Sequence, residues 1–221
     1  MRKLDLRLYG LIDPENAGGH DPVQLAEAMA AGGVTLVQLR DKKSETGDLV
    51  LLAKNLMKVL GPLDVPLLIN DRVDVAFAAE ADGVHLGQND LDVKSARKIL
   101  GDEAIIGLTV RDRTEADAAP LDMVDYVALG GIFETASKLN RAPPIGLEGL
   151  QNLSNLLRAR RSGLPVCAIA GITRENAPEV IDAGADGVAV ISALCGVTSP
   201  AKAAREFRKG IDAALETRGA A

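Results

Sequence analysis

Short apolar runs alternate along this chain with longer segments whose apolar residues recur at helical spacing. The runs Leu6 to Ile12, Val34 to Leu39, Leu67 to Ile69, Val84 to Leu86, Ala104 to Leu108, Val124 to Leu129, Pro165 to Ala170 and Gly187 to Ile191 predict strands. They are continuous apolar runs, the pattern of parallel strands covered on both faces. Asp21-Pro22 opens a helix, with Asp as N-cap and Pro at the first helical position, and Leu25, Ala28, Met29 and Gly32 on one face. Glu45 to Leu60 carries one stripe of Leu49, Leu52, Ala53, Leu56 and Leu60. Val73, Ala76, Phe77 and Glu80 mark a short helix; Val93 to Leu100, Thr114 to Ala119 and Leu147 to Arg161 predict three more. Thr173 N-caps a helix carrying Ala177, Val180 and Ile181, and Ser199-Pro200 starts the last, with Ala204, Phe207, Ile211 and Leu215 along one face. Glu15 to His20 and Gly130 to Ile145 read as loops. The second is long for a compact domain, which marks it as functional or mobile.

The order is eight β-then-α units without a composition shift between them, so a single (β/α)8 TIM barrel over residues 1–221 is the expected fold. Ala81-Asp82-Gly83-Val84 and Ala185-Asp186-Gly187-Val188 repeat one helix-to-strand turn, as equivalent units should. Hydrophobic residues make up 47% of the chain and aromatics 2%, so the core must be built from aliphatic side chains. A net charge of −6 argues against a nucleic-acid surface. Charged residues interrupt the N-terminus, and no apolar stretch is long enough to span a bilayer, so the expectation is a cytoplasmic protein without a membrane partner. Cys167 and Cys195 sit in or beside apolar runs and read as buried thiols. Nothing in the pattern excludes an oligomer.

In such a barrel the chemistry belongs at the C-terminal ends of the strands. Asp71 and Asp90 follow the third and fourth strands and converge on one edge of the sheet. Two carboxylates there suit a hard divalent cation shared with a phosphate ligand; equally, each could simply cap the helix that follows. Strand two ends Gln38-Leu39-Arg40-Asp41-Lys42, and alternation puts Gln38, Arg40 and Lys42 on one side at the mouth. An anion is the expected partner, because an Arg inside an apolar strand is costly alone and its planar fork suits phosphate oxygens. Thr109 offers a hydroxyl at the end of strand five. Thr135, Ser137 and Lys138 in the long loop form a set suited to clamping a phosphate. Gly171 and Ser192 end strands seven and eight, whose loops often build a phosphate site in barrels. His20 is expected to be exposed and His85 a satisfied interior residue, neither catalytic.

The motifs Val37-Gln38-Leu39-Arg40-Asp41-Lys42, Ile69-Asn70-Asp71-Arg72 and Ala81 through Gln88 to Asp90, in this order around a barrel, resemble thiamine-phosphate synthases. Asp125-Tyr126-Val127 with Gly130 to Lys138, Ala168 to Ile172, and Gly184 through Ser192 extend the resemblance over nearly the whole chain. The resemblance implies an enzyme that joins 4-amino-2-methyl-5-hydroxymethylpyrimidine diphosphate to a thiazole phosphate, releasing pyrophosphate through a pyrimidinylmethyl cation. It implies that Gln38, Arg40, Lys42 and Asn70 hold the diphosphate, that Asp71 and Asp90 bind one Mg2+, and that Lys138 contacts the leaving group. Thr109 would sit near the pyrimidine. Thr135, Ser137, Gly171, Ile191 and Ser192 would meet the thiazole phosphate. The chain departs from the family pattern at Arg111-Asp112, at Glu134, and from Lys138 through Pro144. A thiazole tautomerase shares a Phe-Glu-Thr like Phe133-Glu134-Thr135, but relies on a histidine where Arg111 stands. A non-catalytic thiazole phosphate sensor and a Schiff-base aldolase are the other readings; strand six of this chain, Val124 to Leu129, offers no lysine for an aldolase.

Overall fold

The computed structural model describes residues 4–135 and 143–220. Eight parallel strands close on themselves in chain order: β1 Leu8–Ile12, β2 Leu36–Leu39, β3 Leu67–Asn70, β4 Gly83–Leu86, β5 Ile105–Val110, β6 Tyr126–Gly130, β7 Val166–Ile169 and β8 Gly187–Val190. The helices between them are α1 Pro22–Ala31, α2 Thr46–Leu60, α3 Val73–Ala79, α4 Val93–Leu100, α5 Arg113–Ala118, α6 Gly146–Arg160 and α7 Ala177–Asp182. A short α8, Ser192–Cys195, and the long α9, Pro200–Ala220, follow β8. The expected single TIM barrel is the observed fold. Among the described residues no helix is long and apolar enough to cross a membrane.

Strand alternation divides the core in two. Leu8, Ile12, Val37, Leu39, Leu67, Ile69, Val84 and Leu86 face the helices. Tyr9, Leu11, Leu36, Leu68, Ile105, Tyr126, Ala128, Cys167 and Ala189 fill the barrel itself. The pairings Leu11↔Gln38, Asn70↔His85 and Thr109↔Ala128 bring polar side chains into the upper part of that interior.

The repeated Ala-Asp-Gly-Val turn has a physical purpose. Asp82 ahead of β4 accepts from the Leu67 N–H at the start of β3 at 2.8 Å. Asp186 ahead of β8 does the same for Val166 at 2.8 Å, and Asp125 ahead of β6 for Ile106 at 2.7 Å. Each carboxylate therefore sets the register of one strand pair. The glycine after Asp186 is obligatory, because a Cβ on Gly187 would lie 1.6 Å from the Leu6 carbonyl oxygen.

Thr173 heads α7 as expected: its Oγ1 accepts from the Asn176 N–H at 3.4 Å, its carbonyl oxygen accepts from the Ala177 N–H at 3.0 Å, and its own N–H donates to Asn176 Oδ1 at 2.8 Å, a reciprocal exchange across the turn before Ala177. Two local expectations are corrected. Phe77 is 64% exposed, because α3 turns only Val73, Val75, Ala76 and Ala79 inward. His20 is half-buried rather than exposed, its Nε2 lying 2.9 Å from the Val197 carbonyl oxygen. Both cysteines are buried free thiols, as expected.

Candidate active site

The C-terminal mouth of the barrel opens as a pocket of about 900 Å³ including its entrance. Its lining brings together Gln38, Arg40, Asn70, Thr109, Thr135, Gly171, Ile191 and Ser192, from five of the strand ends and the sixth loop. Ser137 and Lys138 lie outside the described residues. Asp71, Asp90 and Lys42 stand at the rim, on the side of β3 and β4.

Asp71 follows β3 in a left-handed backbone conformation, φ 62°, with its N–H bonded to the His85 carbonyl at 2.9 Å. That bond ties the end of β3 to β4 and helps explain why a non-glycine residue tolerates the conformation. Its side chain pairs with the Lys42 ammonium. Burial opposes ionisation of Asp71, but the Lys42 contact and a hydrogen bond with Asp90 outweigh it and hold its carboxyl below the usual range. Asp90 moves the other way: burial, the shared hydrogen bond and the Asp71 charge raise it, against one N–H donated by Gly87 at 2.7 Å. Two carboxylates close enough to share a proton are relieved either by that proton or by a cation. The Lys42 ammonium supplies part of that positive charge.

Arg40 shows what sequence reading missed. Its guanidinium bonds Asp13 Oδ2 at 2.5 Å, and the Asp13 side chain is only 3% exposed. Asp13 also accepts from Glu15 N–H and from Asn16 Nδ2, so it anchors the β1 exit as well. The expected anionic partner of Arg40 is thus supplied by the protein, while Arg40 still lines the pocket. No local signal marks the pair, which joins residues 27 apart in sequence. Gln38 also differs from its expected place: it is 2% exposed, one level down inside the barrel, and donates to the Tyr9 hydroxyl rather than standing beside Lys42 at the rim.

On the opposite side, Gly171 takes φ +64° and the preceding Ala170 φ 99°. The sixth loop packs there, with Phe133 N–H on the Ala170 carbonyl at 3.1 Å. A Cβ on Gly171 would meet the Glu134 carbonyl oxygen at 2.3 Å, so glycine is required for this approach. Ile191 and Ser192 complete that wall at the start of α8. Arg111, a departure from the family pattern, also lines the pocket and pairs with Glu115 at 3.5 Å. The arrangement offers a cation-rich, carboxylate-bearing edge and a separate wall of backbone and hydroxyl groups, suited to two phosphorylated ligands side by side.

A family model described as thiamine monophosphate synthase matches residues 8–194. The thiamine-phosphate synthase of Agrobacterium fabrum is 49% identical over 218 residues, 99% of this chain and 99% of that protein. That of Albidiferax ferrireducens is 44% identical over 208 residues, 94% of this chain and 93% of its own. The solved thiamine phosphate pyrophosphorylase from Pyrococcus furiosus gives a TM-score of 0.84 at 35% identity, covering 95% of this chain and 97% of that one.

Proposed function

This chain belongs to the thiamine monophosphate synthase family, and from that premise we propose that it joins an aminopyrimidinylmethyl diphosphate to a thiazole phosphate. The C–O bond to the diphosphate breaks first, its electron pair leaving with pyrophosphate. The thiazole nitrogen then donates its lone pair to the pyrimidinylmethyl cation, giving thiamine phosphate. No protein nucleophile is needed.

The observation that carries this reading is the rim itself: Asp71, Asp90 and Lys42 beside a pocket lined by Arg40 and Asn70. The donor set fits Mg2+, which usually takes one or two carboxylates and completes its shell with phosphate oxygens and water. Asp71 and Asp90 would hold the ion, which when bound neutralises charge on the leaving diphosphate. With Asp71 engaged by the ion, Lys42 would be free to pair with the diphosphate, alongside Arg40 and Asn70. Lys138 is assigned to the leaving group, and Gln38 to the deeper, pyrimidine-facing part of the diphosphate site. Thr135, Ser137, Gly171, Ile191 and Ser192 are assigned to the thiazole phosphate. The buried aliphatic wall keeps water from the cation. The same reading makes the protein a cytoplasmic enzyme of small molecules, free of nucleic acid, and leaves an oligomer compatible.

The test is pyrophosphate release and thiamine phosphate formation from purified substrates, with and without Mg2+. Both products, dependent on the metal, are expected. Binding of both substrates with no product would overturn the reading.

A further inference from the structure

The two sides of the pocket differ in charge. On the side of β2 and β3, Arg40 holds Asp13 at 2.5 Å and Lys42 pairs with Asp71. The wall assigned to the thiazole phosphate offers hydroxyls and backbone N–H groups from Thr135, Ser137, Gly171, Ile191 and Ser192, and no cation. A phosphate monoester carries about −1.5 to −2 charge at neutral pH. Taking that charge out of water against neutral groups alone is costly.

Arg111 stands next to that wall. It leaves β5 at the mouth and lines the pocket together with Gly130, Gly131 and Thr135. Its stem crosses towards the end of β6: a Cβ on Gly130 would lie 3.4 Å from Arg111 Cγ and 3.9 Å from its Nε. On the other flank Gln88, which follows β4, donates its Nε2 to the Thr109 carbonyl at 2.7 Å. The guanidinium itself is loosely held. Glu115 directs one oxygen to the Arg111 backbone, accepting its N–H at 2.7 Å, while the other lies 3.5 Å from Nη1. Among the described residues the Arg111 guanidinium donates no hydrogen bond. Five N–H donors in a planar fork are therefore open to an anion, in the pocket and beside its uncharged wall.

We propose that Arg111 is the cation of the thiazole phosphate subsite, and the residue by which the pocket prefers a phosphorylated thiazole to the free alcohol. The proposal rests on the synthase reading above and adds a ligand at a position where the chain departs from the family pattern. The guanidinium donates to phosphate oxygens. Glu115 stays on the Arg111 N–H and fixes the backbone from which the side chain extends. The phosphate takes no part in the bond changes, so its contact with Arg111 is the same before and after the diphosphate leaves. Arg111 therefore acts on KM more than on the chemical step.

Isothermal titration calorimetry with the thiazole phosphate and with its unphosphorylated alcohol reads the subsite without turnover. Arg111→Met keeps an unbranched stem and removes the fork. It should weaken binding of the phosphate roughly thirtyfold and narrow the preference for phosphate over alcohol by the same factor. KM for the thiazole phosphate should rise in step, with kcat the less affected, and Arg111→Lys should recover part of the loss. Glu115→Gln approaches the site from the other side. Its amide oxygen still accepts the Arg111 N–H, but the competing charge is gone, so the phosphate should bind roughly threefold tighter. That gain should vanish in the Arg111→Met/Glu115→Gln double variant. Unchanged phosphate affinity in Arg111→Met, or equal losses for phosphate and alcohol, would overturn the assignment. So would a rise in KM confined to the pyrimidine diphosphate, which would place Arg111 on the other anion. If the wild-type protein binds the thiazole phosphate through Arg111 yet forms no thiamine phosphate, the synthase reading fails while the subsite stands as a binding site.

Discussion

Folding treats the two rim carboxylates in opposite ways. Asp71 lies below the ordinary carboxylate range, so the stability it lends is present above its unfolded value and is lost as pH falls through its folded one. Asp90 is raised by burial and by Asp71, so its contribution is complete below the unfolded value and is lost as pH rises through the folded one. At neutral pH an ionised Asp90 is therefore a liability in metal-free protein. Asp90→Asn should raise Tm by roughly 2 °C, a small shift because the site is open and screened. The same substitution should lower Mg2+-dependent turnover at least about a hundredfold. A variant with retained turnover would remove Asp90 from the metal site. The Arg40–Asp13 pair gives a second expectation. Asp13→Ala strips a guanidinium that is 17% exposed of its carboxylate partner, and the cost should be about 3 kcal/mol in urea denaturation. Pyrophosphate should recover part of that loss by taking Arg40 as its ligand. An equal loss with and without pyrophosphate would argue that Arg40 is purely structural. Arg40 was visible in sequence by type, but the identity of its partner was not, because the contact spans β1 and β2 rather than any local pattern.

At the level of elements, the apolar runs located all eight strands because each is buried on both sides, which leaves an uninterrupted signal. Helix starts were legible from their capping residues: Thr173 Oγ1 and Asn176 Oδ1 each accept from the other's N–H ahead of α7. The inward face of a short helix was less legible, because Phe77 sits at helical spacing yet lies on the exposed side of α3. The junction of β7 with the sixth loop shows a tighter constraint. Gly171 at φ +64° leaves no room for a Cβ beside Glu134. Gly171→Ala should push the sixth loop off the end of β7 and raise KM for the thiazole phosphate roughly tenfold. KM for the pyrimidine diphosphate should rise less, since of its assigned ligands only Lys138 lies on the sixth loop, while Gln38, Arg40, Lys42 and Asn70 lie in or just after β2 and β3. Equal rises in both constants would mean that the two sides of the pocket are not separate, and steady-state kinetics in each substrate decides it.

For the whole molecule, closure of the barrel follows from eight repeated units, and the sequence pattern is enough to require it. What the pattern could not contain is the buried run of hydrogen-bonded side chains from Gln38 through Tyr9, Tyr126 and His85 to Thr109, whose Tyr126–Tyr9 bond joins residues 117 apart. Such contacts exist only once the barrel is closed. The edge proposed to hold the metal is similarly a product of closure, and among the described residues it has only two carboxylates, Asp71 and Asp90, with no larger acidic or His/Cys group beside them. An ion bound there needs the substrate's diphosphate to complete its shell. Mg2+ alone should therefore leave the unfolding temperature nearly unchanged. Mg2+ with pyrophosphate, each well above its dissociation constant, should stabilise the fold by roughly 2.7 kcal/mol at a hundredfold excess. For a domain of this size that corresponds to a rise of about 5–10 °C. Differential scanning calorimetry with each component alone and then together measures it. A full shift from Mg2+ alone would mean that the protein supplies a complete metal cage, and the shared carboxylate–diphosphate site would fail. A full shift from pyrophosphate alone would assign the anion to Lys42 and Arg40 and leave Asp71 and Asp90 without the ion.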